Sequence, residues 1–141
     1  MSKPWSLTVR AMIFDKEGRF LLVRRSTNNS SSVGLWEWPG GKLEPGEDFA
    51  AGLHREVAEE TGLTIELTGL AGTTSFEMPK VNVVLLCMNA RLVSGDVRVS
   101  AEHDAFVWVP LADIPRYEYS PGISEWMLET AWRTSMEGRS T

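Results

Sequence analysis

Apolar and polar residues follow one another along the chain in a pattern that predicts several strands and one central helix. Two β-rich runs, Leu7 to Phe14 and Phe20 to Arg25, flank a polar turn cluster at residues 15–19 and predict a hairpin. Three later runs of similar composition predict further strands: Thr64 to Phe76, Lys80 to Leu92 and Phe106 to Val109. Together these runs predict a mixed sheet.

Helical periodicity is clearest between Phe49 and about Thr61. Asp48 is suited to cap the N-terminus of this helix, and Gly62 stands where a left-handed residue would end it. A short helical turn is predicted from Pro110 to Ile114, and an amphipathic helix from Ile123 to about Met136. Helices in the middle and at the end of a series of strands predict an α/β fold whose sheet is covered on both faces.

Three carboxylates share one face of the central helix. At about 100° per residue, Glu56, Glu59 and Glu60 fall within an arc of roughly 100°. Carboxylates within ~5 Å of one another repel by a few kcal/mol at an effective dielectric of ~20, and the helix dipole disfavours anions in the last turn. Divalent cations would compensate these costs, and oxygen ligands favour Mg²⁺ or Mn²⁺ over zinc. For such a string taken alone, a solvated acidic face is the alternative.

Bulk composition limits the class of protein. A chain of 141 residues with 43% hydrophobic residues suits one globular domain over residues 1–141. The net charge of −5 argues against a general nucleic-acid or membrane-surface binder, which would carry a basic face. Cys87, the one cysteine, lies in an apolar run and is expected to be a buried thiol. The N-terminal apolar stretch is too short for a signal peptide or membrane span, so the cytoplasm is the expected location.

The residues around the acidic helix follow a longer pattern. Its fixed positions, with their spacing, are Gly41, five residues, Glu47, seven residues, Arg55-Glu56, Val57, one residue, Glu59-Glu60, one residue, Gly62 and Leu63. This pattern resembles the signature box of the Nudix hydrolases without a departure. The resemblance, in particular to the MutT-type branch, implies an α/β/α sandwich with a central mixed sheet. It also implies Mg²⁺-dependent hydrolysis of a nucleoside diphosphate-linked compound.

The resemblance further implies roles for individual residues. It implies a magnesium site made by the Gly40 carbonyl and the side chains of Glu56, Glu59 and Glu60. Glu56 would also orient or deprotonate the attacking water. Arg55 would pair with acidic residues of the box, Glu47 among them, and so fix the rotamers of the glutamates. Gly41 and Gly62 would support the site, since a glycine lets the backbone approach a ligand closely or end a helix.

A glutamate outside the box is a further candidate. Glu102 lies in the loop before the strand Phe106 to Val109, and similar Nudix enzymes often carry a glutamate there that binds metal or acts as the base. Asp104 is the alternative acid if the correspondence between this loop and that of similar Nudix enzymes is shifted along the chain. A solvent-exposed loop acid is the alternative for Glu102, and His103 is expected to be structural or exposed.

Substrate contacts are expected outside the box. Arg24 and Arg25 end the second strand facing opposite ways, and Arg25 is the candidate that reaches a substrate phosphate. Trp38 is the candidate that stacks on a base, and Lys42 is a third candidate contact. Four other aromatic residues are weaker stacking candidates: Trp36, Phe76, Tyr117 and Tyr119. The polar loop at residues 26–34 is expected to be mobile and able to close over a ligand.

Three functions are compatible with these residues. The first is hydrolysis of a nucleoside or deoxynucleoside triphosphate to the monophosphate and pyrophosphate. The second is hydrolysis of ADP-ribose or another nucleotide sugar, which in parts of the family accompanies a proline some 16 residues after the box, and Pro79 is 16 residues beyond Leu63. The third is a non-catalytic nucleotide-sensing module, against which the complete set of box glutamates argues. The expected partner is a small-molecule nucleotide, and the expected assembly is a monomer or homodimer.

Overall fold

A computed structural model describes residues 3–123 and residue 129. Its elements, in chain order, are β1 (Trp5–Phe14), β2 (Phe20–Arg25), β3 (Trp36–Glu37), β4 (Gly40–Lys42), α1 (Phe49–Thr61), β5 (Thr64–Glu77), β6 (Asn82–Ser94), β7 (His103–Val109) and a 3₁₀ helix (Leu111–Arg116). The predicted strands, helix and helical turn are confirmed within a few residues, whereas β3 and β4 were not predicted. The amphipathic helix predicted from Ile123 to about Met136 falls almost entirely outside the described residues.

All seven strands belong to one mixed sheet. Its order is β3-β2-β1-β6-β5, with β4 also paired to β1 and β7 also paired to β2. β1 and β6 run parallel, and the other pairs are antiparallel. The predicted mixed sheet is therefore confirmed. Within residues 3–123 and at residue 129, no helix is long and apolar enough to cross a membrane.

The first two strands form a fork that a later part of the chain fills. β1 and β2 pair at Phe14 and Phe20, next to the predicted turn, and then diverge. Beyond that point β1 pairs with β4, and β2 pairs with β3. The segment at residues 36–42 therefore lies inside the fork, and the Ala11 N–H donates a hydrogen bond to the Pro39 carbonyl at 2.9 Å there. We refer to residues 36–42 as the fork segment.

The central helix begins and ends where the sequence predicts. The side chain of Asp48 accepts a hydrogen bond from the Ala51 N–H at 3.0 Å, which satisfies a donor that has no partner within the helix. Gly62 follows the helix with φ of 76°, and its N–H donates to the Ala58 carbonyl at 2.9 Å. A residue with a side chain rarely adopts this left-handed conformation, so glycine ends the helix at this point.

Apolar side chains are buried on both faces of the sheet. The cluster between α1 and the sheet contains Val9, Ala11, Ile13, Leu21, Leu53, Val57, Leu63, Ile65 and Ala90. The second cluster contains Met12, Phe20, Leu22, Trp38, Ala71, Cys87, Val109, Leu111 and Ile123. Each fully buried aliphatic or aromatic side chain contributes about 1.5–3 kcal/mol relative to an exposed one. Cys87 is a buried free thiol, as predicted.

Gly40 occupies the tightest position in the fork segment. Its φ is +148°, and a Cβ at this position would lie 2.0 Å from the Val9 carbonyl oxygen and 2.6 Å from the Arg10 Cα. The neighbouring atoms are backbone, so a change of rotamer cannot relieve the overlap. Only a glycine therefore permits β4 to pair with β1 here.

We predict that Gly40→Ala lowers the free energy of unfolding by about 3 kcal/mol or more, because the added methyl overlaps backbone atoms. Gly34→Ala is the matched control. Gly34 has φ of +83° with nothing within 4 Å of an added Cβ, so its substitution adds backbone strain of about 1–2 kcal/mol without an overlap. Urea unfolding of both variants measures the difference. A smaller loss of stability for Gly40→Ala than for Gly34→Ala would contradict this account of the fork.

Candidate active site

The three helix glutamates lie at different depths. Glu60 is buried, Glu56 is partly buried and Glu59 is exposed. The Gly40 N–H donates a hydrogen bond to Glu60 Oε2 at 3.0 Å and so ties this carboxylate to the fork segment. Burial raises the pKa of Glu60 to about 8, against the lowering effects of that hydrogen bond and of the Arg10 charge. Holding this carboxylate ionised in the core therefore costs free energy.

Arg55 connects the carboxylates along the helix. Its Nε and Nη2 groups donate to the two carboxylate oxygens of Glu47 at 2.8 and 3.0 Å, a bidentate pair that lowers the pKa of Glu47. Its Nη1 group donates to Glu56 Oε1 at 3.3 Å and to Glu59 Oε2 at 3.2 Å. Gly52 leaves room for Glu47, because a Cβ there would lie 2.9 Å from Glu47 Oε1. Arg55 thus contacts Glu47, as the resemblance implies, and also fixes two helix glutamates.

Glu56 is a partly buried carboxylate whose pKa is shifted by its surroundings. Burial raises the pKa of Glu56, and the negative charges of Glu59 and Glu102 add to this effect, while Arg55 opposes it. A Cβ on Gly41 would lie 2.7 Å from Glu56 Oε2. The glycine therefore keeps the space beside this carboxylate free of side chains.

The loop that carries Glu102 docks on the C-terminal end of α1. The Ser100 N–H donates to the Glu60 carbonyl at 3.2 Å, a helix carbonyl that has no partner inside the helix. Glu102 itself is exposed, and its charge acts on Glu56. Asp104, the alternative acid, accepts a hydrogen bond from Arg24 Nε at 2.7 Å instead. The main chain before Glu102 is therefore held at the end of α1, whereas Asp104 is paired with Arg24, and a metal or base role for Glu102 stays a prediction.

A buried carboxylate that the sequence analysis did not identify lies in the fork segment. Glu37 accepts hydrogen bonds from Arg25 Nη1 at 3.1 Å and from Ser120 Oγ at 3.2 Å, and it lies 2.9 Å from His103 Nε2 and 3.5 Å from Arg10 Nη2. Burial alone would raise the pKa of Glu37, but Arg10, His103 and Arg25 outweigh it and lower the pKa to about 2. The one feature of the sequence that points to a buried carboxylate is the position of Glu37 between Trp36 and Trp38. His103 is structural, as expected.

A cleft of about 170 Å³ opens beside Glu37. Charged, hydroxyl and apolar side chains line it together: Thr8, Arg10, Arg25, Ser31, Ser32, Glu37, Phe76, Met78, Val83, Leu85, Ser120 and Pro121. Two of the predicted substrate contacts, Arg25 and Phe76, are among them. Arg25 uses Nη1 to bind Glu37 and Nε to bind the Ser31 carbonyl at 3.0 Å. Lys42 is exposed at the end of β4 and does not belong to this lining.

Trp38 is not placed as predicted. Its side chain is fully buried in the core with Met12 and Phe20, because its large apolar ring fills the face of the sheet opposite α1. The ring cannot stack on a base while this core is packed, so the prediction of substrate stacking by Trp38 is wrong. Trp36 and Tyr117, two of the weaker stacking candidates, pack edge-on against each other with ring centroids 5.4 Å apart.

The site offers hard oxygen ligands, which fit Mg²⁺ or Mn²⁺. Side chains on two elements supply four carboxylates: Glu56, Glu59 and Glu60 on α1, and Glu102 on the docked loop. Among the described residues, however, no three acidic, histidine or cysteine side chains already enclose an ion position. Arg55 and the Gly40 N–H hold the helix carboxylates instead.

A mixed sheet with an acidic helix packed on it, and with the box residues along that helix, defines the Nudix class of α/β fold. The family model described as "NUDIX domain" matches residues 4–129. The chain belongs to this family. The predicted family and the predicted sandwich with a central mixed sheet are therefore confirmed.

Three known proteins show how close the likeness is. A MutT-like protein of Streptomyces ambofaciens is 35% identical over 104 residues, which are 74% of this chain and 63% of that protein. The CTP pyrophosphohydrolase of Escherichia coli K12 is 30% identical over 115 residues, which are 82% of this chain and 84% of that protein. The crystal structure of a MutT protein from Methanosarcina mazei Go1 has a TM-score of 0.82 at 34% identity and covers 99% of both chains. This chain therefore spans less than two thirds of the Streptomyces relative.

We predict that Glu37→Gln lowers the free energy of unfolding at neutral pH by about 3 kcal/mol, because Arg10 and Arg25 then lack their counter-charge. The folded-state pKa of Glu37, about 2, lies below the ordinary value of 4.5. The ionised carboxylate therefore favours the folded state, and this stabilisation is present above the ordinary pKa and lost as the pH falls toward the folded one. Urea unfolding of the parent across this range should show the loss, and the variant should lack most of it.

Glu66→Gln is the control for Glu37→Gln. It removes an exposed ion pair with Arg91 and should change stability by about 1 kcal/mol or less. If Glu37→Gln were as stable as this control, the Glu37 network would not hold the fork together.

Proposed function

We propose that this protein hydrolyses a nucleoside or deoxynucleoside triphosphate to the monophosphate and pyrophosphate with Mg²⁺, Mn²⁺ being a possible substitute. One observation carries the proposal: the Gly40 N–H of the fork segment binds the buried carboxylate of Glu60 on the acidic face of α1, and Glu37 of the same segment binds the two arginines of the cleft. The fork segment thus connects anionic side chains of α1, which suit a cation, with the arginines of β1 and β2, which suit a phosphate chain. The similarity to a MutT-like protein and to a CTP pyrophosphohydrolase supports this substrate class.

The residues present fit a divalent cation. Burial and neighbouring negative charges raise the pKa of Glu56 and Glu60, and a bound cation would offset both costs. The ligands would be the carboxylates of Glu56, Glu59, Glu60 and Glu102 and the Gly40 carbonyl. When bound, the ion neutralises phosphate oxygens and activates water. Glu47, Arg55, Gly41 and Gly62 would hold the ligands in place without touching the substrate.

The catalytic step needs a proton acceptor beside the attacking water. A water oxygen bonds to phosphorus, a phosphorus–oxygen bond of the chain breaks, and the water proton passes to a carboxylate. Glu56 and Glu102 are the two candidates for that base. Arg25 is proposed to bind a substrate phosphate, since its hydrogen bonds to Glu37 and Ser31 use Nη1 and Nε and, within the described part of the chain, leave Nη2 for the substrate. Lys42, exposed at the end of β4, is proposed as a further contact for the phosphate chain.

Other properties of the chain support a small-molecule partner in the cytoplasm. The net charge of −5 does not favour a nucleic acid. The free buried thiol of Cys87 is compatible with a reducing compartment. We propose one catalytic domain that acts as a monomer or homodimer.

Hydrolysis of ADP-ribose or another nucleotide sugar is the second candidate. Pro79, 16 residues after Leu63, favours it, although prolines are common in turns and Pro79 lies in the turn between β5 and β6. A non-catalytic nucleotide sensor is the candidate of another class. The retained carboxylates argue against it, because a sensor would not need four acids at one helix end.

A substrate panel in ¹⁸O-labelled water separates these candidates. The panel contains ribonucleoside and deoxynucleoside triphosphates, ADP-ribose and nucleotide sugars, each with and without Mg²⁺. We expect Mg²⁺-dependent turnover of at least one triphosphate, and the labelled product identifies the phosphorus attacked. Turnover of ADP-ribose alone would establish the second candidate. Tight nucleotide binding without turnover of any compound would establish the third.

We predict that Glu56→Gln and Glu60→Gln each lower kcat by about 100-fold or more, because each removes a carboxylate that holds the cation or accepts the proton. Glu44→Gln is the control, since Glu44 is an exposed acid just before the helix. Kinetic assays with Mg²⁺ measure the effect, and thermal unfolding shows that the variants are folded. Activity of Glu60→Gln equal to that of the Glu44→Gln control would refute a metal role for Glu60.

A further inference from the structure

The polar loop at residues 26–34 is bound to the loop that carries Glu102. The Ser26 N–H donates to the Glu102 carbonyl at 2.9 Å, and Ser26 Oγ donates to the Ala101 carbonyl at 2.6 Å. Asn28 Nδ2 donates to the Ala101 carbonyl at 3.0 Å, and Asn29 Nδ2 donates to the Glu102 carbonyl at 2.7 Å. Donors from three residues of one loop therefore meet the carbonyls of two consecutive residues in the other.

The residues on either side of Glu102 have their own attachments. On the N-terminal side, the main chain of Arg98 and Ser100 is bonded to the end of α1 at 2.9 and 3.2 Å. On the C-terminal side, the His103 side chain is bonded to buried Glu37. Among the described residues, the main-chain N–H of Ser26 and the side-chain amide of Asn29 donate to the main-chain carbonyl of Glu102. The Ser26 hydroxyl, which Ser26→Ala removes, donates to the preceding carbonyl, that of Ala101.

The backbone limits where the Glu102 carboxylate can lie. Among residues 3–123 and residue 129, this side chain has no hydrogen bond or ion pair, although its charge acts on Glu56. The position of its main chain therefore decides which groups the carboxylate can reach by rotation of the side chain. Ser26 is itself buried, and it directly follows Arg25, which lines the cleft. The loop thus directly follows the proposed phosphate contact, Arg25, and its first residues are hydrogen-bonded to the main chain of Glu102.

We propose that Ser26 and Asn29 are positioning residues that hold Glu102 beside the glutamates of α1. The inference rests on the proposed function, because it assigns these residues to the orientation of a proposed metal ligand or base. The polar composition of this loop has a physical reason in this arrangement: hydroxyl and amide donors at these positions bind the carbonyls of Ala101 and Glu102. The N-terminal end of the loop is hydrogen-bonded to the loop that carries Glu102, and closure of the loop over a ligand stays a prediction.

A double-mutant cycle tests the inference. Asn29→Ala and Ser26→Ala are made in the parent and in a Glu102→Gln background, with Ser26→Thr as the conservative rescue and Ser30→Ala, an exposed position in the same loop, as the control. Two quantities are measured for each: kcat and KM for the best triphosphate of the panel with Mg²⁺, and the dissociation constant of Mn²⁺ alone by electron paramagnetic resonance. Thermal unfolding verifies that each variant is folded.

We expect Asn29→Ala to lower kcat by about tenfold or more, to weaken Mn²⁺ binding by about tenfold, and to leave KM within about twofold, since supports of metal ligands typically have effects of this size. Ser26→Thr should retain activity that Ser26→Ala loses. In the Glu102→Gln background, neither alanine variant should lower kcat further, because the residue that they position no longer acts. If Ser26→Ala does not fold, Asn29→Ala decides.

Four results would overturn the inference, and they differ in what they say of the proposed function. Parent-like kcat and Mn²⁺ affinity for Asn29→Ala, or full effects that persist in the Glu102→Gln background, would remove the positioning role and leave the hydrolase intact. Parent-like behaviour of Glu102→Gln itself would show that there is no carboxylate to position, again with the hydrolase intact. A parent that neither turns over a nucleotide nor binds Mn²⁺ would remove the proposed function and the inference together.

Discussion

Three carboxylates share one face of α1, and the deepest of them, Glu60, is buried against the fork segment, which places an electrostatic cost at the centre of the fold. Two such charges ~5 Å apart repel by a few kcal/mol at an effective dielectric of ~20, and burial of Glu60 adds a further cost that appears as a pKa of about 8. The protein offsets part of this with the guanidinium of Arg55 and the N–H of Gly40. A divalent cation would offset the electrostatic cost that remains. This is the physical basis of the proposed hydrolysis.

The fork between β1 and β2 converts this helix into a site. Because the two strands diverge after Phe14 and Phe20, the segment at residues 36–42 enters between them and pairs with both. One end of that segment carries Glu37, which holds the arginines of the cleft, and the other end carries Gly40, which binds Glu60. The cleft and the carboxylates are thus supported by one short segment, and their separation is fixed by its backbone.

Local features of the fold could be predicted from the sequence because they depend on neighbouring residues. Asp48 and Gly62 set the ends of α1 through contacts within four residues. Helical periodicity predicts the shared face of the glutamates, and the family resemblance implies the contact of Arg55 with Glu47. The Glu37 network could not be predicted, since it joins residues 66 and 83 positions apart. Trp38 was assigned to the substrate because its position beside the glycines suggested exposure, whereas the second core required its ring.

Whether the acidic face of α1 binds a cation is decided by titration of Mg²⁺ or Mn²⁺ into the purified chain without nucleotide, followed by calorimetry. The account predicts saturable binding, a rise in the unfolding temperature with ion concentration, and loss of both when Glu60 is replaced by glutamine. Absence of binding, together with an unfolding temperature that the ions do not change and that the glutamine raises, would show that the acidic helix end is not built to hold a cation.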